Sequence, residues 1–250
     1  SIAVLQEMMQ KPSRPNGLHT DVASRALLAF GNPSLGVTTQ EKSALVQRGI
    51  KYVPLPDTET EVRTLARYYG TSRSTVYIGK EAREDRAKAE GGRYRVLHFA
   101  THGLLDDVDP MYSYLVMAQV ASAKEDGLLE AREILNRDLN ADLAVLSACN
   151  TARGHFGAGE GTIGMVWSLF VAGVPSTITS QWAVASDSTS QLMIEFYRNW
   201  LKRESDHTNM PAKAAALRKA ELKLLSSSGS VRDFSHPFYW AGFALIGNPK

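Results

Sequence analysis

The sequence predicts an α/β domain built on a mostly parallel sheet with helices on both faces. Three observations point there. Apolar runs of strand length recur along the chain, at 25–30, 74–78, 94–100, 114–118, 143–146, 177–182 and 239–246. Helix-like segments separate most of them, and strands alternating with helices imply parallel pairing through crossovers. The run at 143–146, LAVL, is apolar without alternation, as a strand covered on both faces must be.

Taken in order, residues 1–22 read as a lead-in. SIAVLQEMMQ resembles the end of an amphipathic helix from a longer protein, and KPSRPNG after it is linker-like, with two prolines and a glycine. The domain proper is expected over 23–250. Its first strand, 25–30, is followed by Gly31-Asn32-Pro33, which reads as a turn. Asp57 or Thr58 is suited to cap a helix whose apolar positions Val62, Leu65, Ala66 and Tyr69 fall at i, i+3, i+4 and i+7, and Gly70 stops it. Residues 81–90 predict a short charged helix with a solvated face. A brief helix at 131–135 leads into the strand at 143–146. A Gly-rich loop, 154–161, enters a helix at 163–171 that stops at Gly173 and Pro175. Ser186 or Asp187 is placed to cap a helix carrying Leu192, Met193, Phe196, Tyr197, Trp200 and Leu201 on one face. Pro211 suits the first turn of a last helix ending near Leu225, and 239–246 closes the sheet. No internal repeat is found.

Composition narrows the function. Hydrophobic residues make up 44% of the 250 positions and charged residues 22%, the balance of a globular chain with a sizeable core. The 28 basic and 26 acidic residues leave a net charge of +2, which gives no electrostatic footprint for nucleic acid or a membrane surface. The longest apolar stretch, around 163–175, is too short to span a bilayer. The amino terminus lacks the basic region and cleavage site of a signal peptide. A single cysteine excludes an internal disulfide and fits a reducing, cytoplasmic setting.

That cysteine is where the chemistry concentrates. In ADLAVLSACNTARG, residues 141–154, the core strand ends in small and polar residues, which places Cys149 at a strand tip. In YRVLHFATHG, residues 94–103, another strand ends at His102-Gly103. In neighbouring parallel strands both tips lie on the carboxyl edge of the sheet, where open α/β sheets bind ligands. A thiolate attacks a carbonyl carbon, and a nearby imidazole handles its proton and then protonates the leaving amine. Backbone N–H groups of Gly103 and Cys149 are suited to hold the developing oxyanion. A lone cysteine at a strand end is more often a small core residue. His98, inside its strand, reads as a hydrogen-bonded core histidine, and His155 is a minor rival to His102. Gly159-Glu160-Gly161-Thr162-Ile163-Gly164 fits G-x-G-x-x-G, but it does not follow a strand directly, and Glu160 would repel a pyrophosphate. No dinucleotide or other cofactor is therefore expected. Metal-ligand spacing is absent, so no metal is expected either.

HFATHG, the DGLLEAREIL segment at 126–135, ADLAVLSACNTARG and GEG at 159–161 together resemble the CHAT domain, the caspase-like protease domain found with TPR arrays. The likeness continues through AGVPSTITSQWAV, LMIEFY, ALRKAEL and HPFYWAGFALIGNP, and reaches back to PLPDTETEVRTLARYYG. It implies a caspase-hemoglobinase-like three-layer fold with a mostly parallel central sheet. It implies a cysteine endopeptidase with a His–Cys dyad, His102 and Cys149, and an oxyanion hole at Gly103 and Cys149. It also implies a protein or peptide substrate, and regulation by an N-terminal TPR-like region or an activating partner. The caspase Q-A-C-[RQG]-G signature is not matched, since Ser147-Ala148-Cys149-Asn150 stands in its place. Aspartate preference is therefore not implied. Related separases hold a basic P1 side chain with an aspartate a few residues beyond a tryptophan. Here Trp182 is followed by Ser186 in that place and Asp187 one position later. Ser147, Trp182, Ser186 and Asp187 are the candidate substrate-binding residues, with Asp187 equally suited to a helix start.

Three functions compete on this reading. The first is a peptidase in which Cys149 attacks and His102 moves the proton. The second is a catalytically silent module of the same fold that binds a peptide or partner. An intact dyad disfavours it. Nothing in the sequence supports the third, a non-proteolytic thiol hydrolase or acyltransferase.

Overall fold

The computed structural model describes residues 25–35, 52–120, 125–147, 160–202, 213–229 and 233–249. Six strands form the main sheet: β1 (Leu27–Pro33), β2 (Ser74–Gly79), β3 (Val96–Ala100), β7 (Leu143–Leu146), β8 (Ser176–Ser180) and β9 (Phe243–Gly247). Their order is β2-β1-β3-β7-β8-β9. All neighbours run parallel except β9, which pairs antiparallel with β8 at the edge. A second, antiparallel sheet of β4 (Gly103–Leu104), β5 (Tyr114–Val116) and β6 (Leu128–Glu130) branches off beyond β3.

Alternation along the central strands feeds two cores. Leu27, Ala29, Val96, Ala100, Leu143 and Val145 face α1 (Pro56–Tyr69), α5 (Ser186–Leu201) and α6 (Lys213–Leu225). Leu28, Phe30, Leu97, Phe99, Ala144 and Leu146 face α2 (Glu84–Glu90), α3 (Ala131–Ile134) and α4 (Glu160–Val171). The product is helix, sheet, helix: the three layers the sequence led one to expect.

Several local expectations are revised. Gly31-Asn32-Pro33 is not a turn: β1 runs through it with an irregular register, and Asn32 takes φ 43°. The distortion has a use. Asn32 Oδ1 accepts from the Leu55 N–H (2.8 Å) and its own N–H donates to Thr58 Oγ1 (2.9 Å), which fixes where α1 begins. A Cβ on Gly31 would lie 2.9 Å from both the Thr58 carbonyl and a Val62 methyl, so glycine allows α1 to press on the strand. Helix α1 starts at Pro56 behind Leu55, and α5 starts behind Ala185, in each case just before the polar residues expected to cap it. The helix expected at 81–90 is α2, and its charged surface is only partly solvated: Glu81 and Asp85 are exposed, but the side chains of Glu84 and Lys88 are buried. Gly164 of the G-x-G-x-x-G lookalike packs α4 on Pro110, whose Cβ would meet an added methyl at 2.5 Å.

Candidate active site

The site begins where the chain leaves the main sheet. Strand β3 pairs in parallel with β7, with His98 beside Val145 and Phe99 beside Leu146, so both strands deliver their carboxyl ends to one rim. Beyond Ala100 the chain crosses into the small sheet, where Gly103 pairs with Leu115. His102 is the crossing residue. Its carbonyl accepts from the Val116 N–H (2.8 Å) and the Thr101 hydroxyl (3.0 Å), so its backbone is held from two sides.

The imidazole of His102 is only 2% exposed. Its Nε2 lies 2.6 Å from the Val53 carbonyl. A carbonyl only accepts, so Nε2 carries the proton, and in the neutral ring Nδ1 holds the lone pair. Nδ1 has no hydrogen-bond partner among the described residues. The Tyr52 ring stacks on the imidazole, centroids 4.7 Å apart, and the Tyr52 hydroxyl is 3.5 Å from that of Tyr114. Burial lowers the His102 pKa from its ordinary 6.5, and the hydrogen bond to Val53 only partly opposes it. The result is an oriented imidazole whose Nδ1 lies inside the protein with no hydrogen-bond partner among the described residues.

Cys149 and His155 lie outside the described residues, whose last member on that side is Ser147. Ser147 is buried, and its hydroxyl donates to Glu61 Oε1 (2.9 Å). Ser147, a candidate substrate-binding residue in the sequence, thus has its side chain anchored inside the fold. Trp182 is half-buried, its indole N–H donating to the Phe238 carbonyl (3.0 Å). The Ser186 hydroxyl donates to Asp57 Oδ2 (3.0 Å) at the start of α1. Asp187 accepts the Ser188 N–H (2.8 Å), so its carboxylate supports the first turn of α5. Gly103 is buried beside His102.

His98 is the core histidine its mid-strand position suggested. Its Nε2–H donates to Glu61 Oε1 (2.8 Å), and its Nδ1 lies 3.2 Å from the Tyr197 hydroxyl. The contributions of Glu61 and Val53 are not evident from the sequence alone. Glu61 had a signal: it sits four residues before Leu65, on the apolar stripe of α1. Val53 had none, because what it supplies is a carbonyl.

The family model of the CHAT domain matches residues 5–248. The chain belongs to the CHAT domain family. Tetratricopeptide repeat protein 28 of Mus musculus is 24% identical over 250 residues, and that of Homo sapiens 25%. The match takes in 88% of this chain but 9% of each of those proteins, so the CHAT domain spans a small part of the curated relatives it matches. Among solved structures, the Arg-specific cysteine proteinase gingipain R superposes with a TM-score of 0.55 at 8% identity, over 92% of this chain and 48% of its own. A Saccharomyces cerevisiae separase–securin complex gives 0.54 at 14% identity, over 90% of this chain and 12% of that one. The CHAT domain thus has the fold of caspase-like cysteine proteases.

Proposed function

We propose that this CHAT domain is a cysteine endopeptidase in which Cys149 is the nucleophile and His102 its base. One observation carries the reading: the Val53 carbonyl accepts the His102 Nε2–H and leaves a buried Nδ1, with no partner among the described residues, just beyond a strand adjacent to the one leading to Cys149. A surface histidine has no need of such an arrangement.

In the proposed reaction, Nδ1 takes the thiol proton as sulfur bonds to the scissile carbonyl carbon. The imidazolium keeps its hydrogen bond to Val53 and then gives the Nδ1 proton to the departing amine. The N–H groups of Gly103 and Cys149 hold the oxyanion. Water, deprotonated by the same nitrogen, releases the acyl group. Substrate is a protein or peptide in the cytoplasm, and access is governed by a TPR-like region or an activating partner. The relatives' name and the securin-bound neighbour support a protein partner of this kind. The P1 preference is left open.

A peptidyl acyloxymethyl ketone library tests the reading. The wild-type protein, supplied with its activating region, is expected to label at Cys149 and to cleave a peptide of matching sequence. Cys149→Ala is expected to do neither, and His102→Ala to lose cleavage by about 10³-fold. Absence of labelling by every member would make the domain a binding module.

A further inference from the structure

Glu61 is a carboxylate with no exposed surface, held on α1 beneath the sheet. Its Oε1 accepts from His98 Nε2–H (2.8 Å) and from the Ser147 hydroxyl (2.9 Å), and its Oε2 accepts from the Ser190 hydroxyl (2.7 Å). Three elements and the residue just past a fourth therefore meet on one side chain: α1, β3 and α5, with Ser147 directly after β7. Two of these contacts stand out by position. His98 lies four residues before His102 on β3, and Ser147 lies two residues before Cys149 at the end of β7. A single oxygen atom thus ties together the two strands that carry the proposed dyad.

Stability alone does not account for such a residue. A charged group taken into the interior loses several kcal/mol of hydration, and well-packed apolar residues serve a core as well or better. Val62 and Leu65 on the same face show that α1 packs well with hydrocarbon. Buried polar networks whose members are all satisfied instead fix a unique geometry. Catalysis needs that fixity, because a misplacement of about 1 Å can cost about 10²-fold in rate.

We propose that Glu61 is a positioning residue of the peptidase site, setting the spacing of the His102 and Cys149 strand ends through His98 and Ser147. This rests on the peptidase reading above.

The test compares Glu61→Leu, Glu61→Gln, Ser147→Ala and Ser190→Ala by kcat and KM on a cleavable peptide, and by the pH profile of Cys149 alkylation. Glu61→Leu is expected to lower kcat about 10²-fold with KM within about twofold. Glu61→Gln keeps an oxygen for His98 and Ser147, and is expected to recover most of that loss. Ser147→Ala and Ser190→Ala each remove one hydrogen bond to the same carboxylate and are both mild enough to fold. Ser147→Ala is expected to lower kcat at least fivefold more than Ser190→Ala. Equal kcat losses in the two serine variants, or an unchanged kcat in Glu61→Leu, would overturn the proposal. Alkylation separates the two ideas. If the wild-type protein cleaves nothing, a Cys149 profile shifted by Ser147→Ala but not by Ser190→Ala still supports positioning. Identical profiles would refute it.

Discussion

Two buried charged clusters lie on opposite faces of the main sheet, and they are built in opposite ways. On one face, the Glu61 carboxylate gathers two hydroxyls and an imidazole N–H. On the other, the Lys88 ammonium of α2 gathers three carboxylates: Glu84 at 2.5 Å, Glu125 at 2.7 Å and Glu133 at 2.7 Å. Burial works against the charge on Lys88, but its hydrogen bonds to Glu125, Glu133 and Glu84 outweigh this and raise its pKa. One cation cannot satisfy three anions equally. Glu84, the deepest, is raised by burial to about 7, against an ordinary 4.5. The attachments differ more than the charges do. Glu61 holds strand ends at the rim. Lys88 joins α2 to Glu125 and to α3, whose Glu133 also closes a capping box with Glu130. The two clusters therefore serve different ends under the proposal: Glu61 sets the geometry of the proposed site, and Lys88 fastens a peripheral layer.

The largest test of that contrast is a pair of variants. Glu61→Leu is expected to lose turnover per folded molecule, as set out above. Lys88→Met is expected to lose about 3 kcal/mol of stability, because it strands the buried Glu84 and the half-buried Glu125 and Glu133, while kcat per folded molecule stays within about twofold. Chemical denaturation alongside active-site titration checks both. If Lys88→Met lost turnover as heavily as Glu61→Leu, the division of labour would be wrong.

A smaller effect concerns His102. Because burial lowers its pKa, the acid limb of kcat/KM is expected below pH 6.5. Tyr52→Ala uncovers the ring to water, and should move that limb upward toward the ordinary histidine value. A limb that does not move would mean that the stacked tyrosine is not what keeps the imidazole dry.

The smallest effect is a pH dependence of stability in the Lys88 cluster. The folded state holds a proton on Glu84 up to about pH 7, whereas the unfolded chain releases it near 4.5. Folding is therefore favoured by that proton at low pH, and the contribution fades as pH rises through this window. Glu84→Gln carries a permanently neutral group able to accept the Gly127 N–H that Glu84 Oε2 accepts at 2.8 Å. Its stability relative to wild type is expected to improve steadily from pH 4.5 to pH 7. A difference that stays flat across the window would contradict this.

These regions also show what a sequence reveals and what it hides. Strand β7 was legible to the residue, because an unbroken apolar run admits few alternatives. The shared rim followed from two strands ending in His102 and toward Cys149, and the β3–β7 pairing agrees. His98 was legible as a core histidine, since a strand interior offers it little else. The short ladders β4 and β6 were not, because two or three residues carry no periodicity. The caps were misplaced by a residue or two, because Asn32, distant in sequence, decides where α1 begins. Lys88 was misread because a charge run looks solvated until its partners arrive from residues 125 and 133. Val53 was invisible for a deeper reason: a backbone carbonyl is the same in every residue, and only the fold selects which one meets the imidazole.

The proposed proximity of thiol and imidazole is most directly tested by alkylation, since the chain has one cysteine and any uptake of iodoacetamide reports on Cys149 alone. Between pH 6 and 7 the wild-type protein is expected to react at least about tenfold faster than His102→Ala, whose rate should follow an ordinary thiol of pKa about 8.5. Superimposable pH profiles for the two proteins would contradict the account.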